Sequence, residues 1–303
     1  MCFVDLVPSP AARGELLVVK IPLLRFQDRM PITQVRSAPH RPDPHSWLDT
    51  ELTVAWLGHA TVLLNIRGSL LLTDPALERR IGIGHGLAKL GPRRLIEPAL
   101  HLRELPPLDL ILLSHAHMDH TDLGTLRRLP ANIRVVVQNG NRDLVRRFER
   151  VDELGWGDHL DADGVRIAST EAAHWGARTI TDRHRGYGGY LIRKGGRTVL
   201  FAGDTAYTDV LDKYGSGRPI DLAILPIGAY DPWIANHASP EQAWAMFKAL
   251  GARYVLPVHH STFRLSREPA DEPIRRFLAV AGDERWRVVA REVGATAVIP
   301  PPD

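Results

Sequence analysis

The sequence predicts an α/β fold, and three observations predict it. Apolar runs of strand length recur along the chain, bounded by Gly, Pro, Asn and Asp. Helical stretches with start and stop signals lie between some of them. Strand end after strand end delivers polar groups: His115 to His120, His174, Asp204, Tyr230 to His237, and His259-His260. Open α/β sheets place their chemistry at the carboxyl ends of their strands.

The 303 residues are 44% hydrophobic, enough for a sizeable core in one large domain. Residues 1–50 are rich in Pro and Arg and weakly periodic. They are read as an N-terminal arm packed on a domain of residues 51–303. Lys and Arg number 38 against 35 Asp and Glu, a net charge of +3. So balanced a charge gives no basic stripe for a nucleic-acid backbone, and no nucleic acid is expected as partner. The only cysteine is Cys2, which excludes an internal disulfide and a cysteine-based zinc knuckle. No apolar run reaches the roughly 18 residues of a membrane span, and residues 1–30 lack the pattern of a signal peptide. A cytoplasmic location is therefore expected by default.

Taken in order, the apolar piece 16–26 reads as packed against the body, with contact to a partner or a lipid surface as the other reading. TVAWLG and ATVLLNI are two strands, and Arg67-Gly68-Ser69 turns the chain into LLLTD. His59, between the first two, is given a structural role near the site. Asp74 ends the third strand and either orients a ligand histidine or caps a turn. Residues 76–107 are long for a connection and hold Arg79, Arg80, Lys89, Arg93 and Arg94. They are read as a flap whose cations meet an anionic substrate, or as a solvated loop. Next come a helix from 123, a strand at 134–137, a helix at 142–150 and a strand at 165–169. A hairpin follows, 189–193 with 198–201, then a strand at 221–226. Ser239 caps a helix that runs to about 250 and stops at Gly251. A strand at 254–257, a helix at 272–281 and a strand at 286–290 close the chain.

The densest stretch is LILLSHAHMDHTD, residues 110–122. An apolar strand ends at Ser114, and His115, His117, Asp119 and His120 follow within six positions. Burying these groups is costly unless something pairs with them, and a divalent metal is the natural partner. The spacing divides the donors: His115 and His117 reach one position, Asp119 and His120 a second. Zinc suits the set first; manganese and iron accept the same donors.

HAHMDH after an apolar strand resembles the metal signature of the metallo-β-lactamase superfamily. The resemblance implies a four-layer αββα sandwich with a metal site at one edge. It also implies a ligand set: His115, His117 and His174 for a first ion, Asp119, His120 and His259 for a second, and Asp204 of FAGDT as the bridge. His260 rivals His259, and physics alone does not separate them. A centre of two divalent ions lowers the pKa of bound water towards about 7, and the hydroxide it shares is the nucleophile. No Ser or Cys nucleophile is then needed, and GxSxG is absent.

WLGHAT, LLTDP, GPRR, LPPLD, HWGAR, FAGDTAY, DLAILPIGAYDP, NHASPEQA and VHHSTF narrow the resemblance. Together they are similar to N-acyl-phosphatidylethanolamine-hydrolysing phospholipase D and its bacterial relatives. Ascorbate-lactone-lactonase-like proteins share part of the pattern. The resemblance implies a phospholipase D-like phosphodiesterase acting on a small or lipid phosphodiester; whether the chain also makes peripheral membrane contact stays open. The chain departs from it at His260-Ser261, where the phospholipase has Trp-Gly, and in the arm. Asp119 and His237 are the expected catalytic residues, His237 touching substrate near the metals. Arg178 is expected to pair with phosphate and Tyr230 to wall the pocket. A lactone, amide or carboxylic-ester hydrolase with the same centre is the alternative; a nucleic-acid phosphodiesterase or a non-catalytic ligand sensor ranks below it.

Overall fold

The computed structural model describes residues 34–84, 89–179, 181–217 and 219–302. The apolar piece 16–26 lies outside them. Strands β1 (Leu52–Gly58), β2 (Thr61–Ile66) and β3 (Ser69–Thr73) form an antiparallel meander. They are buried almost residue by residue rather than on alternate positions, the mark of strands covered on both faces. The chain then crosses to β4 (Leu110–Leu113), passes through a short helix, α1 (Leu123–Leu126), and adds β5 (Arg134–Gln138) and β6 (Arg150–Leu154) in parallel.

The second sheet starts antiparallel with β7 (His159–Ala162), β8 (Val165–Thr170), β9 (Gly189–Lys194) and β10 (Arg197–Phe201). β11 (Leu222–Pro226) and β12 (Tyr254–Val258) join in parallel, separated by helix α2 (Pro240–Ala249). Helix α3 (Glu272–Ala281) follows, and β13 (Thr296–Ile299) returns to the first sheet beside β1. The orders are β13-β1-β2-β3-β4-β5-β6 and β12-β11-β10-β9-β8-β7.

The two sheets face each other across one apolar layer, in which Leu64, Leu71 and Val136 of the first pack with Ile192, Phe201, Ile224 and Leu256 of the second. Outside the second sheet, Phe247 of α2 and Phe277 of α3 cover Leu200, Ala223 and Val255. Outside the first, Leu126, Leu129, Val145 and Phe148 cover Ile111, Val135 and Val137. The four-layer αββα sandwich is therefore the observed architecture, with a thin first helical layer.

That thin layer corrects one expectation. Residues 142–150 are not a helix: a 3-10 turn, Arg142–Val145, ends early and Arg150 already opens β6. The Glu153 carboxylate accepts the amides of Gly140, Asn141 and Arg142, which fixes the turn against β6. Strands β6 and β7, half-exposed and polar, have no counterpart in the sequence reading. The closing strand also lies later than expected. Residues Gly282–Arg287 form a 3-10 helix, and Val288 makes only a single bridge to Val255.

The described part of the arm lies on the domain. Arg36 pairs with the strand-like Leu95–Glu97 backbone, and Ala38 and Trp47 pack against the inter-sheet layer. In the 76–107 segment, two of the cations read as meeting either an anionic substrate or solvent instead point inward. Lys89, buried, pairs with Asp122 and with Glu78 at 2.9 Å. Arg94, also buried, donates to the carbonyls of Ala76 and Glu78. Buried cations require such partners, so these two hold the segment down. No helix among the described residues is long and apolar enough to cross a membrane.

Pairing direction decides where the chemistry collects. Strands β1, β3 and β4 run the same way in one sheet, and β8, β10, β11 and β12 do so in the other. The segments that follow all seven open onto one edge of the sandwich.

Candidate metal centre

At that edge, eight side chains condense into one cluster. The loop after β4 carries His115, His117, Asp119 and His120, all buried. It folds tightly: the amides of His120 and Thr121 donate to His117 O, and Thr121 Oγ1 donates to His115 O at 2.7 Å. His174 arrives from the segment after β8, Asp204 from β10, His237 from the loop after β11 and His259 from β12.

Two donor sets result. His115 Nε2 lies 2.8 Å from His117 Nδ1, and His174 Nε2 lies 3.3 Å from the same atom. These three imidazoles offer atoms within 4.8 Å of one another. Asp119, His120 and His259, with His59, form the second group on the same measure. Asp204 Oδ2 lies between the sets, 3.0 Å from His120 Nε2, 3.1 Å from His259 Nε2, 3.9 Å from His174 Nε2 and 4.0 Å from His115 Nε2.

The surroundings dictate which nitrogen of each ring faces inward. Asp74 accepts from Ser114 N and Ser114 Oγ and from His120 Nδ1 at 2.6 Å, leaving His120 Nε2 to the cluster. The Ser114 hydroxyl, having given its proton to Asp74, accepts from His115 Nδ1 at 2.9 Å. His174 Nδ1 donates to Asn236 O at 3.0 Å. A hydrogen bond at one imidazole nitrogen presents the other as a lone pair, as metal-ligating histidines require. Asp74 thus orients a histidine, the first of its two expected roles. Ser114 and the Asn236 carbonyl were not singled out in the sequence. Ser114 stood one residue from the motif, but Asn236 acts through its backbone, which no side-chain pattern reports.

Electrostatics agrees with a cation site. Burial, then the neighbouring imidazoles, push His115 and His117 well below the ordinary imidazole range, so both are neutral. Burial raises the Asp204 carboxyl, but His120 and His259 outweigh it and hold it well below the usual carboxylate range. Asp119 behaves likewise, with His120 as the main opposing group. Burial lowers His259, yet Asp204 and Asp119 outweigh it and lift it to about 9. Two carboxylates thus gather positive charge among inward-facing nitrogens. Asp204 Oδ1, His120 Nε2 and His259 Nε2 are buried without an aligned hydrogen bond. Orphaned buried donors and acceptors of this kind ask for a ligand, and imidazole nitrogen with carboxylate oxygen suits zinc.

The remaining expected residues divide. His59 lies beside the cluster, its Nε2 2.9 Å from Asp119 Oδ2. His237, buried, stacks on His259 and meets His174 edge-on, with Nδ1 3.7 Å from Asp204 Oδ2. His260 turns away: its ring lies on Trp56 at 4.5 Å and its Nδ1 meets Ser261 Oγ at 2.9 Å. Geometry therefore places His259, not His260, in the cluster. Two further side chains have protein partners. Arg178 Nη1 donates to the carbonyls of Ala116 and Thr121, both at 2.8 Å. The Tyr230 hydroxyl meets Glu272 Oε1 at 2.8 Å and Arg276 Nη1 at 3.0 Å, on the side of α3. Glu268, absent from the sequence reading, accepts the amides of Ala229 and Asp231 and shapes the loop that carries His237.

Comparison with known proteins identifies the family of this fold. The family model described as the beta-lactamase superfamily domain matches residues 70–260. An uncharacterized protein of Mycobacterium tuberculosis is 32% identical over 250 residues, 79% of this chain and 66% of that protein. The chain therefore spans about two thirds of the length of that relative. N-acyl-phosphatidylethanolamine-hydrolyzing phospholipase D 1 of Caenorhabditis elegans is 32% identical over 255 residues, 76% of this chain and 70% of the other. Among solved structures, Igni18, a metallo hydrolase from Ignicoccus hospitalis, superposes with a TM-score of 0.61 at 24% identity. It covers 84% of this chain and all of its own.

Proposed function

The chain belongs to the metallo-β-lactamase superfamily and is a metal-dependent hydrolase, and from that premise we propose that it is a dinuclear phosphodiesterase of the phospholipase D type. Asp204 carries the dinuclear part of the reading. Its Oδ2 sits within 3.0–4.0 Å of imidazoles from both donor sets, which supports a bridging role for it. In this reading His115, His117 and His174 hold one ion, Asp119, His120 and His259 the other. Zinc is the first candidate, since the donors are nitrogen and carboxylate oxygen with no thiolate. Two such ions supply Lewis-acid polarisation of the phosphoryl oxygens and an activated water for in-line displacement.

The chain's own residues do the rest. Ser114, Asp74 and Asn236 fix the ring tautomers. Asp119, held by His59, is the catalytic carboxylate of the second set. Burial pushes His237 well below the ordinary imidazole range. It therefore meets substrate as a neutral ring, hydrogen-bonding a phosphoryl or leaving-group oxygen rather than arriving as an imidazolium. The 32% identity to the nematode phospholipase supports a phosphodiester, lipid or smaller, as the substrate class.

The test is hydrolysis of a chromogenic phosphodiester by zinc- or manganese-loaded protein beside a chelated control. Chelator-sensitive turnover is expected. A metal-loaded protein that leaves phosphodiesters intact but opens lactones, amides or carboxylic esters would replace this reading with the carbonyl-hydrolase one.

A further inference from the structure

We propose that Arg178 is a positioning residue: a clamp that holds the metal-binding loop closed and fastens it to the segment carrying His174. The inference rests on the reading of the cluster as a metal centre. Arg178 Nη1 donates to Ala116 O and Thr121 O, each at 2.8 Å. Those carbonyls flank His117, Asp119 and His120, so one nitrogen grips the loop on both sides of its donors. Arg178 lies four residues beyond His174 in HWGAR. The three imidazoles of the first set come from only these two segments, and Arg178 spans them.

The rest of the loop explains why a clamp is needed. Its internal bonds converge on two carbonyls, His117 O and His115 O. They coil the chain but leave the outward carbonyls of Ala116 and Thr121 to other donors. A guanidinium is suited to this: planar, always charged, with donors in a fixed fork. Its charge alone would be a liability beside divalent ions, since like charges repel strongly where water is excluded. A cation at this position is understandable when two carbonyl dipoles take up the charge and when the gain is geometric. Metal affinity depends on the groups that hold ligands in place, and their loss costs about 10–100-fold.

Three roles for Arg178 predict three different signs. As a clamp, Arg178→Ala weakens zinc affinity about 10–100-fold in chelator competition and lowers kcat, and millimolar guanidinium restores part of both. Arg178→Lys, which keeps a donor within reach, loses less. As a mere electrostatic neighbour, removal of the charge would tighten zinc binding. As a phosphate contact, Arg178→Ala would raise KM for an anionic diester and leave zinc affinity unchanged. Either of the last two results overturns the clamp. Hydrogen exchange separates this inference from the one beneath it. In chelated protein the amides of His120 and Thr121 should exchange faster in Arg178→Ala than in the parent, while those of β10 and β11 do not. Parent protein that takes up no zinc would refute the metal centre. Unchanged exchange at His120 and Thr121 would refute the clamp whatever the metal result.

Discussion

Asp204 has more neighbours of consequence than any other side chain at the centre, and the consequences of losing it are correspondingly specific. Its Oδ2 is the only carboxylate oxygen among the described residues within 4.0 Å of His115, His120, His174 and His259 together. Asp204→Ala should therefore deplete both ions, and metal analysis should find well under one zinc per chain with activity abolished. Retention of both would remove Asp204 from the bridging role. His237 predicts the opposite split. It touches the cluster through ring stacking and a 3.7 Å approach to Asp204. His237→Ala should lower kcat by roughly 10²-fold, the scale for one oriented donor at a reacting oxygen, with zinc content unchanged. Zinc loss in that variant would make it structural. At this scale the sequence was informative wherever a side chain acts and silent wherever backbone does. HAHMDH announces four donors within six positions. The Asn236 carbonyl that orients His174, and the Ala116 and Thr121 carbonyls that engage Arg178, carry no signature. An arginine beside a phosphate site and one gripping carbonyls look identical in a sequence, so HWGAR alone does not announce the contacts of Arg178.

Elements place those side chains, and two glycines show how little room they have. Gly228, two residues past β11, lies beside the His259 backbone, and a Cβ there would lie 2.2 Å from His259 O. Gly203, just before Asp204, has φ +64, and its Cβ would meet Gly188 O at 2.7 Å and Ser114 Cβ at 2.8 Å. Backbone cannot yield as a flexible side chain does, so Gly228→Ala should lose about 1–3 kcal/mol in urea melts and weaken zinc binding through His259. A variant as stable as the parent would mean the two strands can part without cost. The same scale shows which elements a sequence announces. α2 was read nearly to the residue, because Ser239 accepts Gln242 N and Gln242 returns the bond to Ser239 N. α3 spans the same residues, 272–281, as the helix expected there. Residues 142–150 do not form the expected helix although Asn141 stands at the N-cap position: its side chain donates to the carbonyls of Gln138 and Gly186 instead of capping. The interaction that decides it, the Glu153 carboxylate on three successive amides, comes from a strand that propensity did not reveal. β6 and β7 escaped notice because edge strands, half in water, lack the continuous apolar run that marked β1 and β4.

For the whole molecule, the centre joins two sheets, with donors after β4 on one side and after β8, β10 and β12 on the other. An ion bound there binds the folded state and not the unfolded one, so it must stabilise the sandwich by mass action. How much depends on pH, and the sign follows from the histidines. In the metal-free protein, burial lowers His59 to about 3, helped by His259, and burial lowers His260 to about 3 as well. Between pH 6.5 and 3 the unfolded chain therefore binds more protons at these sites than the folded one. Their contribution to stability is present above pH 6.5 and is lost as pH falls towards 3. His259 runs the other way: raised to about 9, it contributes fully below pH 6.5 and loses that contribution as pH rises through 9. Chelated protein should accordingly show its highest melting temperature near pH 6.5 with respect to these groups. Zinc changes the slope on the alkaline side. His120, which Asp204 and Asp119 raise well above the ordinary range against burial, and His259 must both shed protons to bind it. Zinc affinity therefore climbs between pH 6 and 8, and the zinc-induced rise in melting temperature grows with it. Paired melts with zinc and with chelator at pH 6, 7 and 8 measure that difference directly. A difference that stays flat or shrinks with rising pH would show that zinc does not displace protons from His120 and His259, and would move the second ion away from them.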